Sequence, residues 1–437
     1  MSTNPASSNP AEVSAAIKSS VEYRISFQLD TGNLVETVAT HFGELQFCIQ
    51  GIDKLAASVQ PDANRKIEPP PGLRLLVQKK LARFPSKPEK YGTTLQLLDE
   101  IGRFIRRYAD VPQEWVEIIS LYILMTWVYD RFTALPYLRL LGEPGTGKTR
   151  ILKVAVSISY KGIAVSGNIT GAALFRMIDL MQGTLAVDEA DFKNSAEWSD
   201  ITKIVNNGYT EGLPVIRCNR DTFDPECFVV YSPKIISTRN RFEDAATESR
   251  CITLETEERT VSPRVPLQLP IEFEQEALAL QNKLLQWRFD YFREVKANED
   301  GLRESLSPRT AETGSSLRAI VPNDEWKQKL IRFLRNMDEA RNEESEKGAV
   351  LRAVKFLVSN GWKSATVAEV TQRANSERGE LGLDELTPRK VGGILRSLGH
   401  KPKHTKHGNT IPLVPGGESE PVPAFRLLPR GECQVNV

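Results

Sequence analysis

Gly142-Glu143-Pro144-Gly145-Thr146-Gly147-Lys148-Thr149 fits the pattern G-x-x-x-x-G-K-[ST], and no other stretch of the chain constrains the fold as tightly. Glycines let the backbone curl until successive N–H groups point inward, which makes a cradle for a phosphate. Lys148 brings a positive charge to the β- and γ-phosphates of a nucleotide, and the Thr149 hydroxyl is a ligand for Mg²⁺. Tyr137-Leu138-Arg139-Leu140-Leu141 reads as a short buried strand entering the loop. Ile151, Leu152, Val154, Ala155 and Ile158 give the spacing of an amphipathic helix leaving it, with its N-terminal dipole aimed at the phosphates. Strand, glycine loop and helix in that order predict a parallel α/β sheet.

Gly183-Thr184-Leu185-Ala186-Val187-Asp188-Glu189 supplies the second half of such a site, an apolar strand ending in two carboxylates. The expected chemistry assigns hydrated Mg²⁺ to Asp188 and orientation or deprotonation of the attacking water to Glu189. ATP and Mg²⁺ are therefore the expected cofactors. A guanine nucleotide is disfavoured, because the chain has no Asn-Lys-x-Asp segment.

The rest of the composition is permissive. With 437 residues, 40% apolar and 26% charged, the chain has room for about three domains with real cores. Five cysteines without a C-x-x-C pair argue against a disulfide framework and against a zinc ribbon. Cys218 and Cys227 could face each other across a hairpin, but reduced core thiols are the expectation. The N-terminus has no basic-then-apolar signal, and the longest apolar stretch, Val116 to Tyr129, is too short to span a bilayer. The expected setting is cytoplasmic, with no membrane partner.

Residues 1–20 are rich in Ser, Asn, Pro and Ala and read as a disordered tail. Residues 21–90 read as a small N-terminal α/β region and linker, and 91–135 as a helical lead-in. The nucleotide core is expected over 136–260 and a helical subdomain over 265–345, with Asp300 to Ser316 as a polar loop within it. Over 346–415, three helices, the third opened by Thr387-Pro388, precede a basic segment and a strand, which is the order of a winged-helix domain. Residues 416–437 read as a tail.

Asp188-Glu189-Ala190-Asp191 spells the box of the DEAD-box helicases, but it stands much closer to the phosphate loop than in that family. The AAA+ ATPases fit better. Pro233-Lys234-Ile235-Ile236-Ser237-Thr238-Arg239-Asn240 resembles their strand ending in a γ-phosphate sensor, with Asn240 in the sensing position. Glu248-Ser249-Arg250-Cys251 puts Arg250 where AAA+ proteins carry an arginine that reaches the neighbouring subunit's nucleotide. Between them, Leu213 to Arg220 and Cys227 to Tyr231 read as a hairpin with Asp224-Pro225 near its tip. It resembles the pore hairpin of AAA+ DNA helicases, which would bring Arg217 and Arg220 to DNA phosphates.

The combination is similar to a prophage and mobile-element family of AAA+ replication ATPases of the primase-helicase kind. Pro136-Tyr137-Leu138, Gly167 to Arg176, Leu185 to Asp191, Asn206-Asn207-Gly208-Tyr209 and Gln286-Trp287 carry the likeness, over roughly Glu114 to Arg341. The resemblance implies a DNA helicase or initiator-like ATPase working as a homo-oligomeric ring, a hexamer, with replication proteins as further partners. Two departures stand out. The family's Asp-Arg-Ser is here Glu-Ser-Arg-Cys around Arg250, and residues 1–90 are too short for the primase domain many relatives carry. A DNA-binding regulator or helicase loader, switched by nucleotide without unwinding, is the alternative. In the C-terminal module, Arg389, Lys390 and Arg396 fall on or beside the presumptive recognition helix and Lys401, Lys403 and Lys406 in the wing, a positive patch suited to DNA phosphates.

Overall fold

The computed structural model describes residues 20–413 except 63, 167–168, 190–201, 203, 220, 243, 258–261, 381–382, 401–402 and 406–407. Both expected tails, apart from Ser20, lie outside the described residues, as do Arg220, Lys401 and Lys406. The chain forms two compact units, 1–337 and 338–437.

The first unit begins with strands rather than with the expected α/β element. β1 (Ser20–Tyr23), β2 (Ser26–Gln28), β3 (Leu34–Ala39), β4 (Leu45–Ile49), β5 (Ile52–Ala56), β6 (Val59–Asp62) and β7 (Arg65–Glu68) make two sheets. One is the antiparallel meander β2-β3-β4-β5, and the other has the order β1-β7-β6. Phe27, Val35, Phe47 and Ile67 form their shared apolar centre. After the short α1 (Leu73–Gln78) come α2 (Thr94–Tyr108) and α3 (Gln113–Thr126). Thr93 and Gln96 close a capping box on α2, whose Leu97, Leu98, Ile101, Phe104, Ile105 and Tyr108 are buried on one face.

The parallel sheet follows. β8 (Tyr137–Leu141) leads into α4 (Lys148–Ile158), then β9 (Ile163–Ser166), α5 (Gly171–Met181) and β10 (Leu185–Asp188). The antiparallel hairpin β11 (Val215–Cys218) and β12 (Pro225–Phe228) intervenes before β13 (Lys234–Thr238), the short helix α6 (Ala245–Ser249) and β14 (Cys251–Glu255). The sheet has five parallel strands in the order β14-β8-β13-β10-β9. β8 and β13 are buried at every position, as strands covered on both faces must be. Arg139 is the costly exception in β8. It is fully buried, and its guanidinium is held by Glu248 and by Thr253 Oγ1 at 2.8 Å. Lys234 is buried as well, its ammonium caged by the carbonyls of Val230 and Ser232 at 3.0 Å each, and burial pushes it down to about 7.

α7 (Glu272–Tyr291), α8 (Pro308–Arg318) and α9 (Asp324–Glu344) come next. α8 occupies most of the stretch expected to be a polar loop. Ser307 caps it by accepting from Thr310 N, Pro308 stands in its first turn, and Ala311 and Leu317 are buried.

A buried charge network joins the N-terminal strands to the sheet and to α7. Glu36 of β3 meets Lys161 Nζ at 2.9 Å and Arg288 Nε at 2.7 Å. Arg288 Nη2 reaches Asp130 at 2.7 Å, and Arg288 Nη1 donates to the Trp127 carbonyl at 2.6 Å. Tyr160 donates to Glu36 at 2.7 Å and Ser26 at 2.6 Å, so both carboxylate oxygens are doubly engaged. Burial alone would raise the Glu36 carboxyl, but Lys161 and Arg288 hold it down at about 2.

The second unit contains α10 (Glu346–Ser359), β15 (Ser364–Thr366), α11 (Val367–Glu380), α12 (Pro388–Ser397), β16 (Lys403–Thr405) and β17 (Gly408–Pro412). The three strands form an antiparallel sheet in the order β15-β17-β16. Val350, Ala353, Val370, Val391, Leu395 and Ile411 lie at its centre. β15 is absent from the sequence expectation, being only Ser364-Ala365-Thr366 with Ala365 as its single buried residue.

Candidate functional site

Strand register brings the site together. Leu141 of β8 is level with Thr238 of β13 and Glu255 of β14, and Asp188 of β10 is level with Ser166 of β9. Everything that follows those strands therefore emerges at one edge of the sheet, the carboxyl edge, where open α/β sheets take their ligands.

The Gly142–Thr149 loop leaves β8 at that edge. Gly145 and Gly147 have φ of +86° and +89°, a left-handed backbone that glycine adopts without steric cost. Gly142 is required for another reason, since a Cβ there would collide with the Thr256 carbonyl and hydroxyl. Thr256 pins the loop from the end of β14. Its N–H donates to Leu141 O at 2.6 Å, and its hydroxyl lies 2.7 Å from Thr146 Oγ1, which also bonds the Glu143 carbonyl at 2.8 Å. Lys148 Nζ donates to the Gly142 carbonyl and, at 2.7 Å, to that of Glu143, which holds the ammonium over the loop. Gly147 caps α4, whose Ile151, Leu152, Val154, Ala155 and Ile158 are all buried as their spacing predicts. Arg150, beside Thr149, donates to the carbonyls of Tyr108, Pro266 and Leu267 at 3.2, 2.8 and 2.6 Å. The start of α4 is thereby clamped to the end of α2 and to the segment preceding α7.

The two halves of the motif meet through hydroxyls. Thr149 Oγ1 lies 3.2 Å from Asp188 Oδ1, and Ser237 Oγ donates to the same carboxylate oxygen at 2.6 Å. Ser237 Oγ in turn accepts from the Glu189 backbone N–H at 3.0 Å. A hydroxyl and a carboxylate oxygen this close suit neighbouring positions on one octahedral Mg²⁺, so the residues present fit that ion. Glu189 has φ of +55°, unusual for a side chain of its size, and its carboxylate is 73% exposed with Arg239 at 3.9 Å. The strained turn aims a carboxylate outward from the strand end, which suits a group that must reach a water beside a nucleotide.

Asn240 is exposed, two residues beyond β13 and at the same edge. Arg250 stands at the opposite edge, as the C-cap of α6 immediately before β14. Its guanidinium bonds Asn206 O at 3.2 Å and the Asn206 side-chain oxygen, with the Tyr209 ring centroid 5.1 Å away. Asn206 also donates to Asp244 at 2.9 Å and accepts from Thr247 at 2.7 Å, so the Asn206-Asn207-Gly208-Tyr209 turn is the anchor of α6.

Arg217 is exposed on β11, with its guanidinium 5.5 Å from the Phe175 ring centroid. Cys218 pairs with Pro225 and Cys227 with Ile216, so the two cysteines are not cross-strand partners. Both are exposed rather than in the core, whereas Cys48 and Cys251 are buried. On α12, Arg389, Lys390 and Arg396 are exposed, Thr387 is the N-cap, and Lys390 pairs with Glu346 at 2.5 Å. Lys403 lies in β16. Among the described residues no helix is long and apolar enough to cross a membrane.

Ser237 and Thr256 are absent from the sequence reading. A polar Ser-Thr pair closing an otherwise apolar strand was the available signal for Ser237. Thr256 gave none, because its role depends on β14 lying beside β8.

No family model matches the chain, and no curated protein matches it. Among solved structures it is similar to the active helicase Cch of SCCmec type IV, at 12% identity over 90% of this chain and 78% of that one, with a TM-score of 0.45. It is also similar to the apo C-terminal region of NrS-1, at 12% identity over 86% of this chain and 95% of that one, with a TM-score of 0.37. Likenesses at this level assign no activity and no residue.

Proposed function

We propose that this chain is an ATP-hydrolysing AAA+ protein acting on DNA, a helicase or initiator-like replication ATPase of a phage or integrated element. The observation that carries the reading is the junction of Thr149, Asp188 and Ser237, which brings the start of α4 and the ends of β10 and β13 onto one metal-sized locus. In this reading Gly142 to Gly147 cradle the phosphates and Lys148 neutralises them. Thr149 and Asp188 hold Mg²⁺, Glu189 activates water, and Asn240 senses the γ-phosphate. The position of β13 between β8 and β10 supports the sensor role, because its end lies between phosphate loop and carboxylates.

Arg250 would serve a neighbouring subunit's nucleotide in a hexameric ring. β14 has five residues, a span of ~17 Å. That length separates Arg250 from the edge bearing its own loop, so any nucleotide it touches belongs to another copy. Arg217 and Arg220 of the hairpin would meet DNA in the channel. The order α10-β15-α11-α12-β16-β17 supports a winged helix, with Arg389, Lys390 and Arg396 on its recognition helix and Lys401, Lys403 and Lys406 in its wing. A cytoplasmic setting with replication proteins as partners follows from that role.

A nucleotide-switched regulator or loader is the second reading, and one observation favours it. Arg250 is engaged by Asn206 and Tyr209 of its own chain, which suits an ATPase held back until a partner releases the arginine. The hairpin separates the two. Replacing Arg217 and Arg220 together by alanine is expected to abolish stimulation of ATP turnover by single-stranded DNA, measured as phosphate release. Stimulation that survives the double substitution contradicts the channel. Ser237→Ala is expected to lower kcat about tenfold, since a hydrogen bond to a charged group contributes ~1.5–3 kcal/mol. An unchanged kcat would remove Ser237 from the mechanism.

A further inference from the structure

We infer that Phe223, at the tip of the β11–β12 hairpin, is a stacking platform for an unpaired base of single-stranded nucleic acid. The inference rests on the reading that this hairpin meets DNA, and it adds the class of substrate, a strand with its bases exposed.

Phe223 is 79% exposed and has φ of +62°. A bulky aromatic is out of place there, because glycine or asparagine adopts that backbone with far less steric conflict, and exposing the ring forgoes burial. Yet the loop is built to hold this conformation. Asn219 Oδ1 accepts from the N–H groups of Asp221 and Thr222 at 2.8 and 3.2 Å. The Phe223 N–H donates to Asn219 O at 2.9 Å, and the Asn219 N–H donates to Asp224 O at 2.8 Å. Asn219 Nδ2 reaches Glu226 at 2.6 Å, and Cys218 Sγ contacts Phe223 O at 3.3 Å. One asparagine thus organises the whole turn, and the product of that order is a ring presented to solvent.

The flank of the hairpin that faces α5 carries the complementary chemistry. A cleft of 510 Å³ between α5 and the hairpin is lined by Phe175, Arg176 and Arg217, with Asn219 and Asp221 of the tip also facing it. Arg176 lies 5.1 Å from the ring centroids of both Phe175 and Phe228, and Arg217 lies 5.5 Å from that of Phe175. Asp221 and Glu226 line the same cleft and balance the formal charge of Arg176 and Arg217, with Glu226 3.9 Å from Arg176, so the guanidiniums act as local phosphate contacts rather than as a positive field. Arginines beside aromatic rings, leading to an exposed aromatic tip, are the ingredients of a single-strand site. The guanidiniums take phosphates, and the ring takes a base of any sequence. Duplex DNA hides its base faces in the stack and cannot use the ring.

The test is anisotropy of a labelled oligo(dT) bound to the full chain, compared with the same strand carrying abasic sites. The variants are Phe223→Ala, Phe223→Trp and Arg217→Ala. Phe223→Ala is expected to weaken oligo(dT) binding about tenfold, while Phe223→Trp retains it. On the abasic strand, wild type and Phe223→Ala are expected to bind alike. If Phe223→Ala binds oligo(dT) as wild type does while Arg217→Ala is weakened, the hairpin meets DNA but the stacking inference is overturned. If neither substitution changes binding, the hairpin reading itself fails. A loss on Phe223→Ala that persists equally on the abasic strand also overturns stacking.

Discussion

Glu189→Gln is expected to lower ATP turnover by about two to four orders of magnitude while nucleotide still binds. An amide has the size of the carboxylate but cannot take a proton from water, so only the chemical step is removed. The surroundings make the comparison clean. The side chain is 73% exposed and its ion-pair contact with Arg239, at 3.9 Å, is loose. The strained backbone is held through the Glu189 N–H bond to Ser237 at 3.0 Å, which the substitution leaves in place. Steady-state phosphate release measures turnover, and a fluorescent ATP analogue measures binding. Turnover at the wild-type rate would take Glu189 out of the reaction.

Arg288→Met is expected to destabilise the first unit by about 3–5 kcal/mol, the usual cost of removing one partner from a buried ion pair. Methionine approximates the arginine stem, so the loss falls on charge rather than volume. Glu36 and Asp130 would then face Lys161 as the remaining cation of the network. Denaturant unfolding followed by tryptophan emission reports the effect, because the indole of Trp127, whose backbone carbonyl accepts from Arg288, is fully buried in that unit. A companion measurement uses pH. The Glu36 carboxyl is held at about 2, below its ordinary 4.5, so its charge stabilises the native state above pH 4.5 and loses that effect as pH falls through 2. The stability gap between wild type and Glu36→Gln should therefore be full at pH 7 and narrow below pH 4.5. A gap that widened in acid would contradict the assignment.

That network also marks where reading the sequence stops. Glu36, Asp130, Lys161 and Arg288 are ordinary charged residues in their local sequences, and only the packing of β3, the Tyr129–Arg131 turn and the segment between α4 and β9 around α7 brings them together. The phosphate loop and Asp188-Glu189 were legible because their chemistry demands contiguous residues at the end of a strand. The apolar face of α4 was legible because 3.6-residue periodicity is local. The polar sequence of α8 reads as a loop, although Ser307-Pro308 carries the start signal of a helix. The N-terminal strands were ambiguous because short apolar runs do not distinguish helix from strand.

The most direct test of the proposed ATPase is steady-state ATP hydrolysis with and without single-stranded DNA, wild type against Glu189→Gln. The account predicts turnover that requires Mg²⁺, rises with DNA and collapses in the variant. Hydrolysis that is absent in wild type under all conditions, or undiminished in the variant, would contradict it.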